Sequence, residues 1–209
     1  VIVRHAGAAR AAPFPECLEQ ANPAVLGALR DFYGEALARA APGATGGTLV
    51  TDKNPFNFLN LALVAMLYPD APVIHCARDP LDVALSCFFE AFDLPQDFTV
   101  SFAAFAHYHT HYRRLMERWE GERRHALLTI RYEALIADLP AEAARLVAHC
   151  DLDWHDACLH FNAGEGAVMT PSRWQVRQGA YRSSAGRWRN YARWLEPLRI
   201  RLDHSADAA

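Results

Sequence analysis

The sequence predicts an α/β protein in three layers, with a central, mostly parallel sheet between helices. Three short apolar runs indicate strands at Thr48–Val50, Val73–Cys76 and Leu127–Ile130. Patterns of helical period separate these runs, an alternation typical of parallel sheets with crossover helices. Because such sheets bind ligands beyond the carboxyl ends of their strands, the residues that follow each run are the candidates for function.

The helices follow from apolar spacing and from residues that end helices. A first helix is predicted over 13–41, where apolar residues recur at helical spacing until the run PGATGG from Pro42 breaks it. Later helices are predicted at about 56–67, 80–92, 102–120 and 141–150, and an arginine-bearing helix follows residue 185. We interpret 1–209 as one domain and 1–14 as a poorly structured remnant.

Composition and charge narrow the function classes. The chain has 209 residues, 52% hydrophobic and 22% charged, which is enough for one sizeable core. No apolar run approaches the length of about 18 residues that a membrane span needs. Five cysteines, an odd number with no C-x-x-C pair, favour a reducing cytoplasm over a disulfide framework or a zinc knuckle. The start at Val rather than Met suggests a fragment.

The basic charge is concentrated near the carboxyl end. Between Thr170 and Arg201, eight arginines and one acid, Glu196, give +7, which leaves −10 for the remainder of a chain of net charge −3. Such a segment indicates an anionic ligand or partner, although a solvated basic helix is an equal alternative.

The chain has one lysine, Lys53, in the stretch TDKNPFNFL. Asn54 is a suitable cap and Pro55 a suitable first residue for the next helix, so Lys53 is expected beside a helix N-terminus. Two positive features that converge favour an anion between them. The alternative is a lysine in a solvated loop. Because Lys53 is the one lysine of an arginine-rich sequence, a chemical requirement for an ammonium group is favoured.

The stretch IHCARDPLDVALSCFF runs from a strand into a helix that Asp79 caps and Pro80 begins. Arg78 is at the carboxyl end of the strand and Ser86 is two turns into the helix. A guanidinium fork and a hydroxyl are a suitable pair for binding phosphate. The alternative is an internal ion pair between Arg78 and Asp79 or Asp82.

Two further stretches carry weaker signals. The strand end IRYEAL places Tyr132 where an aromatic ring or hydroxyl could meet a base or sugar, or could merely pack. The stretch TPSRWQVRQGAYRSSAGRWRNY, 170–191, predicts a basic loop that closes over an anion. Nucleic-acid binding is the generic alternative, because its aromatic residues could stack on bases.

Two apparent motifs do not predict a binding site. His107 and His111 share a helix face and could bind zinc, but no third ligand follows at a fixed spacing, so no metal site is predicted. The glycines around Gly46 lack the lysine and spacing of a phosphate loop, and we interpret them as a turn.

Together the four stretches resemble the sulfotransferase superfamily, in order and spacing over about residues 15–198. The nearest likeness is to the tyrosylprotein-sulfotransferase-like domain of bacterial tetratricopeptide-repeat proteins. The resemblance implies a P-loop-kinase-like fold and a cytoplasmic bacterial enzyme. It would transfer a sulfuryl group from 3′-phosphoadenylyl sulfate (PAPS) to a hydroxyl or amine without a metal.

The resemblance also implies roles for single residues. Arg78 and Ser86 would bind the 3′-phosphate of the nucleotide, together with Arg187, and Tyr132 would contact the nucleotide.

Two more residues are implied to act on the group being moved. Lys53 and Ser172 match residues that donate to the sulfonate or bridging oxygen in the transition state, and Ser172 counts among the nucleotide-binding residues as well.

One departure from the family pattern shapes the prediction. No P-R-S-G-T-type phosphosulfate loop occurs before residue 15, and no match to the acceptor-activating carboxylate is found. The sequence therefore predicts a truncated chain that lacks the first strand–loop–helix unit of the fold, binds nucleotide weakly and turns over poorly or not at all alone. The alternatives are a non-catalytic nucleotide- or protein-binding relative and, less favoured, a nucleic-acid-binding domain.

The partners are less defined than the fold. The acceptor could be a protein tyrosine, a sugar or a small molecule, and the oligomeric state is not fixed by the sequence. A tetratricopeptide-repeat region of a parent chain is the partner that the resemblance suggests, and no membrane is expected.

Overall fold

The computed structural model describes residues 13–44, 48–90, 92, 96–122, 126–163 and 184–207. These residues fall into two compact units, one within 1–71 and the other within 72–209. In the described part of the chain, no helix is both long enough and apolar enough to cross a membrane.

The first unit is helical. A 3₁₀ helix, Glu16–Gln20, precedes α1, Pro23–Ala40, and a second 3₁₀ helix, Asn57–Asn60, leads into α2, Leu61–Leu67. Helix α1 begins later than predicted because the Asn22 side chain accepts a hydrogen bond from the Val25 N–H at 3.0 Å and Pro23 occupies the first turn. The core of this unit is formed by four buried residues, Cys17, Leu29, Leu63 and Leu67.

Two local predictions are wrong in this unit. The strand expected at Thr48–Val50 has no strand partner among the described residues, and Leu49 is 64% exposed. The Asn54 side chain accepts from the Phe56 N–H at 2.9 Å and closes a turn, so it does not cap an α-helix. Because α2 starts only at Leu61, Lys53 does not lie at an α-helix N-terminus.

The second unit contains both strands and most helices. In chain order they are β1 Val73–Ala77, α3 Pro80–Phe89, α4 Phe102–Gly121, β2 Leu127–Arg131, α5 Tyr132–Ala137, α6 Leu139–His149 and α7 Ala192–Asp207. The α/β class is confirmed, with a parallel sheet of two strands in the described part of the chain. Helix α5, absent from the sequence prediction, starts at Tyr132 directly after β2.

The core of the second unit lies where α3, α4 and α7 meet. Its buried residues are Leu81, Ala84, Leu85, Phe105, Ala106, Leu195 and Leu198. Asp79 caps α3 through its Oδ1, which accepts from the Leu81 N–H at 2.8 Å, and Ser101 caps α4. Each such cap contributes about 1 kcal/mol, and together they fix where these helices begin.

A half-buried chain of polar side chains crosses the sheet on its α4 side and ends at the exposed Glu120. His75 and Thr129 are paired in register, and His75 Nδ1 is 3.1 Å from Thr129 Oγ1. The Thr129 hydroxyl donates to Glu120 Oε1 at 2.5 Å, so it accepts from a protonated Nδ1, and His75 Nε2 accepts from the Tyr112 hydroxyl. This pattern fits a neutral His75. Burial lowers the pKa of His75, and burial raises the pKa of Tyr112 to about 12.

We expect the free energy of unfolding to rise with pH as His75 loses its proton. The folded pKa lies below the unfolded value of 6.5, so this stabilisation is complete above pH 6.5 and is lost as pH falls through the folded pKa. His75→Gln should flatten this rise and cost about 1–3 kcal/mol at pH 7, because the two hydrogen bonds of the imidazole are lost. Urea unfolding at several pH values measures both, and His107→Gln, at an exposed position of α4, is the matched control. An unchanged slope in His75→Gln would contradict this expectation.

Candidate functional site

The sheet register brings two candidate residues together. Ala77 pairs with Arg131 at the carboxyl ends of β1 and β2, so the residues that follow, Arg78 and Tyr132, emerge side by side. The guanidinium carbon of Arg78 lies 4.9 Å from the centre of the Tyr132 ring. The ring therefore contributes a cation–π contact that holds the guanidinium plane.

The Arg78 guanidinium is half-buried and only partly satisfied. Its Nη2 donates to the Ser184 carbonyl at 2.7 Å, and its Nε is buried with no hydrogen-bond partner among the described residues. The alternative of an internal ion pair is not found, because neither Asp79 nor Asp82 pairs with Arg78 in the described residues. A guanidinium with an unused N–H donor can bind an anion.

Asp82 holds a distant piece of the chain against α3. Asp82 is 1% exposed, its Oδ2 accepts from the Gly186 N–H at 2.6 Å, and its Oδ1 accepts from the Trp188 N–H at 2.8 Å. Gly186 has φ of 70°, in the left-handed region that glycine adopts without steric cost. The 3₁₀ helix Arg187–Tyr191 starts at this turn.

Ser86 lies between two contacts made by that segment. Asp82, Ser86 and Phe89 follow one another at helical spacing on one face of α3. Asp82 binds the backbone on either side of Arg187, and the Arg187 guanidinium carbon lies 5.3 Å from the Phe89 ring centre. Ser86 is exposed on this face of α3, between the two residues that contact the Gly186–Trp188 segment.

Two further observations describe the electrostatics of this region. Burial raises the pKa of the Cys87 thiol, and the charge of Arg78 opposes that rise, which places a positive field at the residue next to Ser86. Glu133 Oε1 accepts from the Asp79 N–H at 2.8 Å and ties α5 to the start of α3. Its Oε2 is 3.6 Å from Arg131 Nη2, too far for a hydrogen bond, so that contact is only Coulombic.

Lys53 belongs to the first unit and is exposed. It lines an open cavity of about 700 Å³ with the end of α1 and the 48–52 segment. Its neighbour Asp52 is fixed, because Asp52 accepts from the Tyr33 hydroxyl at 2.5 Å and from Asn57 Nδ2 at 3.3 Å. Burial raises the pKa of Tyr33, and the hydrogen bond to Asp52 and its negative charge raise it further. The Tyr33 hydroxyl therefore keeps its proton and remains a donor.

The remaining candidates have mixed outcomes. Ser172 and most of the 170–191 stretch lie outside the described residues. His107 and His111 have ring centres 4.4 Å apart on α4, and no set of three metal-ligating side chains occurs among the described residues. Sequence reasoning missed the role of Asp82, although it is the only charged residue in the ten residues of α3.

Two comparisons place the chain among known proteins. The model of the family described as "Sulfotransferase family" matches residues 3–156. An uncharacterized protein of Aquifex aeolicus (strain VF5) is 32% identical over 190 residues, which cover 88% of this chain and 24% of that protein. The chain thus spans about a quarter of the length of this relative.

Proposed function

Because the chain belongs to the sulfotransferase family, we propose that it transfers a sulfuryl group from PAPS to a hydroxyl or amine. The observation that carries this proposal is the Arg78 guanidinium at the carboxyl end of β1, with its Nε free of a described partner and Ser86 two turns into the next helix. In this proposal Arg78, Ser86 and Arg187 bind the 3′-phosphate, and Tyr132 contacts the nucleotide.

The reaction needs charge stabilisation more than covalent help. The acceptor atom bonds to sulfur while the bond from sulfur to the phosphate-bridging oxygen breaks, and adenosine 3′,5′-bisphosphate leaves with the electron pair of that bond. The acceptor proton passes to solvent or to a carboxylate. Lys53 and Ser172 would donate to the oxygens that gain charge, as cations and hydroxyls do in phosphoryl transfer.

We infer from the four sequence stretches that the chain is of the tyrosylprotein-sulfotransferase-like type found with tetratricopeptide repeats. The length of the Aquifex aeolicus relative is compatible with a longer parent chain. A protein tyrosine, a sugar and a small phenol are the acceptors to compare.

A second candidate function is a relative that binds nucleotide without catalysis. It rests on the same Arg78 guanidinium, whose Nε has no partner among the described residues and could bind a phosphate with or without transfer. A third, nucleic-acid binding, is favoured by guanidiniums stacked on rings, such as Arg193 over Trp194 at 3.7 Å. Salt-dependent binding of single-stranded DNA without nucleotide binding would support the third.

The transfer assay uses PAPS labelled with sulfur-35 and the three acceptor classes. We expect slow transfer, and we expect its rate to fall about 100-fold or more in Lys53→Ala. The reason is that this variant lacks the ammonium charge that would face the oxygens of the leaving group. Nucleotide affinity should stay the same in that variant. Arg39→Ala is the control, since Arg39 is exposed and pairs with Glu35 at 3.5 Å on α1.

The outcomes separate the candidate functions. Nucleotide binding without any transfer supports the non-catalytic relative. A chain that neither binds nucleotide nor transfers the sulfuryl group would contradict the proposal. Transfer that is fast and unaffected by Lys53→Ala contradicts the role of Lys53 and the expectation of poor turnover.

A further inference from the structure

We propose that Asp82 is a positioning residue for anion binding. It fixes the backbone from Gly186 to Trp188 so that the Arg187 guanidinium meets the same anion as Arg78 and Ser86. The inference rests on the proposed function, because that anion is taken to be the 3′-phosphate of the nucleotide.

The two hydrogen bonds of Asp82 bracket Arg187. One carboxylate oxygen accepts from the residue before Arg187, at 2.6 Å, and the other accepts from the residue after it, at 2.8 Å. The carboxylate of a buried residue such as Asp82 needs such partners, because a buried charge without hydrogen bonds is strongly disfavoured. Charge-assisted bonds of this kind are short and strong, so the backbone around Arg187 has little freedom.

The turn at Gly186 reinforces this constraint. Its φ of 70° redirects the chain at the residue that Asp82 binds, and a side chain there would be strained. The Arg187 side chain leaves this turn over Phe89, one helix turn beyond Ser86. Asp82 therefore determines which face of α3 Arg187 covers.

A second contact links the same segment to Arg78. The Arg78 Nη2 donates to the Ser184 carbonyl at 2.7 Å, two residues before Gly186. Both contacts join residues 78–82, at the end of β1 and the start of α3, to residues 184–188. The 184–188 segment is therefore held at two points by the part of the chain that carries the proposed phosphate ligand Arg78. Loss of Asp82 should release Arg187 while Arg78 keeps one of the two contacts.

A double-mutant cycle tests this role by calorimetric titration with adenosine 3′,5′-bisphosphate. We expect Arg187→Ala to weaken binding about tenfold in the unmodified chain and less than about twofold in an Asp82→Asn background, because the released arginine no longer reaches the anion. Asp82→Asn alone should weaken binding about tenfold. Asp138→Asn is the matched control, since Asp138 caps α6 by accepting from the Ala141 N–H at 3.2 Å.

Hydrogen exchange of the unmodified chain tests the same role even if the Asp82→Asn chain does not fold. Adenosine 3′,5′-bisphosphate should slow hydrogen exchange at the Gly186 and Trp188 amides and leave the Ala141 amide unchanged. If the chain binds the nucleotide but the losses in the cycle are additive, the role of Asp82 is overturned and the proposed function is not. The same holds if it binds and exchange at Gly186 and Trp188 is unchanged. Absence of nucleotide binding by the unmodified chain overturns the proposed function and this role with it.

Discussion

Replacing Arg78 by alanine is expected to weaken binding of adenosine 3′,5′-bisphosphate by about 100-fold or more. The guanidinium would make two charge-assisted hydrogen bonds to the phosphate, each worth about 1.5–3 kcal/mol, and about 1.4 kcal/mol is a factor of ten in affinity. Arg78→Lys keeps the charge but loses the planar fork, so an intermediate loss is expected. Calorimetric titration measures the affinity of the unmodified chain and of the two variants.

The control for Arg78 is Arg145→Ala, because Arg145 is half exposed on α6 and pairs with Glu142 at 2.6 Å. Binding should be unchanged in that variant. The Arg78→Ala chain also loses a hydrogen bond to the Ser184 carbonyl, so urea unfolding must show that it is folded. A folded Arg78→Ala chain that binds as tightly as the unmodified chain would contradict the assignment of Arg78.

The second large effect is on stability. Phe105→Ala should lower the free energy of unfolding by about 3–5 kcal/mol, because it leaves a cavity at the contact of α3, α4 and α7. Phe105 is 2% exposed, and its ring centre is 6.4 Å from that of Phe88 and 6.0 Å from that of His109. Domains of this size are stable by only about 5–15 kcal/mol, so this one change removes a large fraction of the total.

Urea denaturation followed by circular dichroism measures this loss. Val100→Ala is the surface control, since Val100 is 71% exposed and its truncation should stay within about 0.5 kcal/mol. A loss below about 1 kcal/mol in Phe105→Ala would mean that the three helices do not share the core described above.

The parts of the fold that local signals specify were predictable from the sequence. Asp79 and Pro80 mark the start of α3 because a cap and a first-turn proline act within a few residues. The same locality makes the position of Arg78, between β1 and α3, predictable. Tyr132 was placed at the end of β2, which the register confirms, although the helix that it begins was too short for a periodic signal.

The parts that depend on distant residues were not predictable. The run Thr48–Val50 has strand-like composition, but a strand forms only where a partner strand is available, and none is found for it among the described residues. Asp82 was considered as a partner of Arg78, whereas it binds backbone groups 104 and 106 residues later in the chain. Pairing at that separation leaves no local sequence pattern.

The roles of the candidate residues remain predictions for a different reason. Residue spacing and geometry show that Arg78 and Tyr132 are neighbours, and that Arg187 passes along the helix face that carries Ser86. Neither shows which anion these residues bind. That identity comes from family membership and from the chemistry of guanidinium and hydroxyl groups, and it needs a ligand to test it.

The most direct test is the difference in affinity between adenosine 3′,5′-bisphosphate and adenosine 5′-monophosphate, which lacks the 3′-phosphate. We expect the bisphosphate to bind at least about tenfold more tightly, and we expect Ser86→Ala, at an exposed position that leaves the fold intact, to reduce that preference. Equal affinity for the two nucleotides, or a preference that survives the loss of both Arg78 and Ser86, would contradict the assignment of this site to the 3′-phosphate.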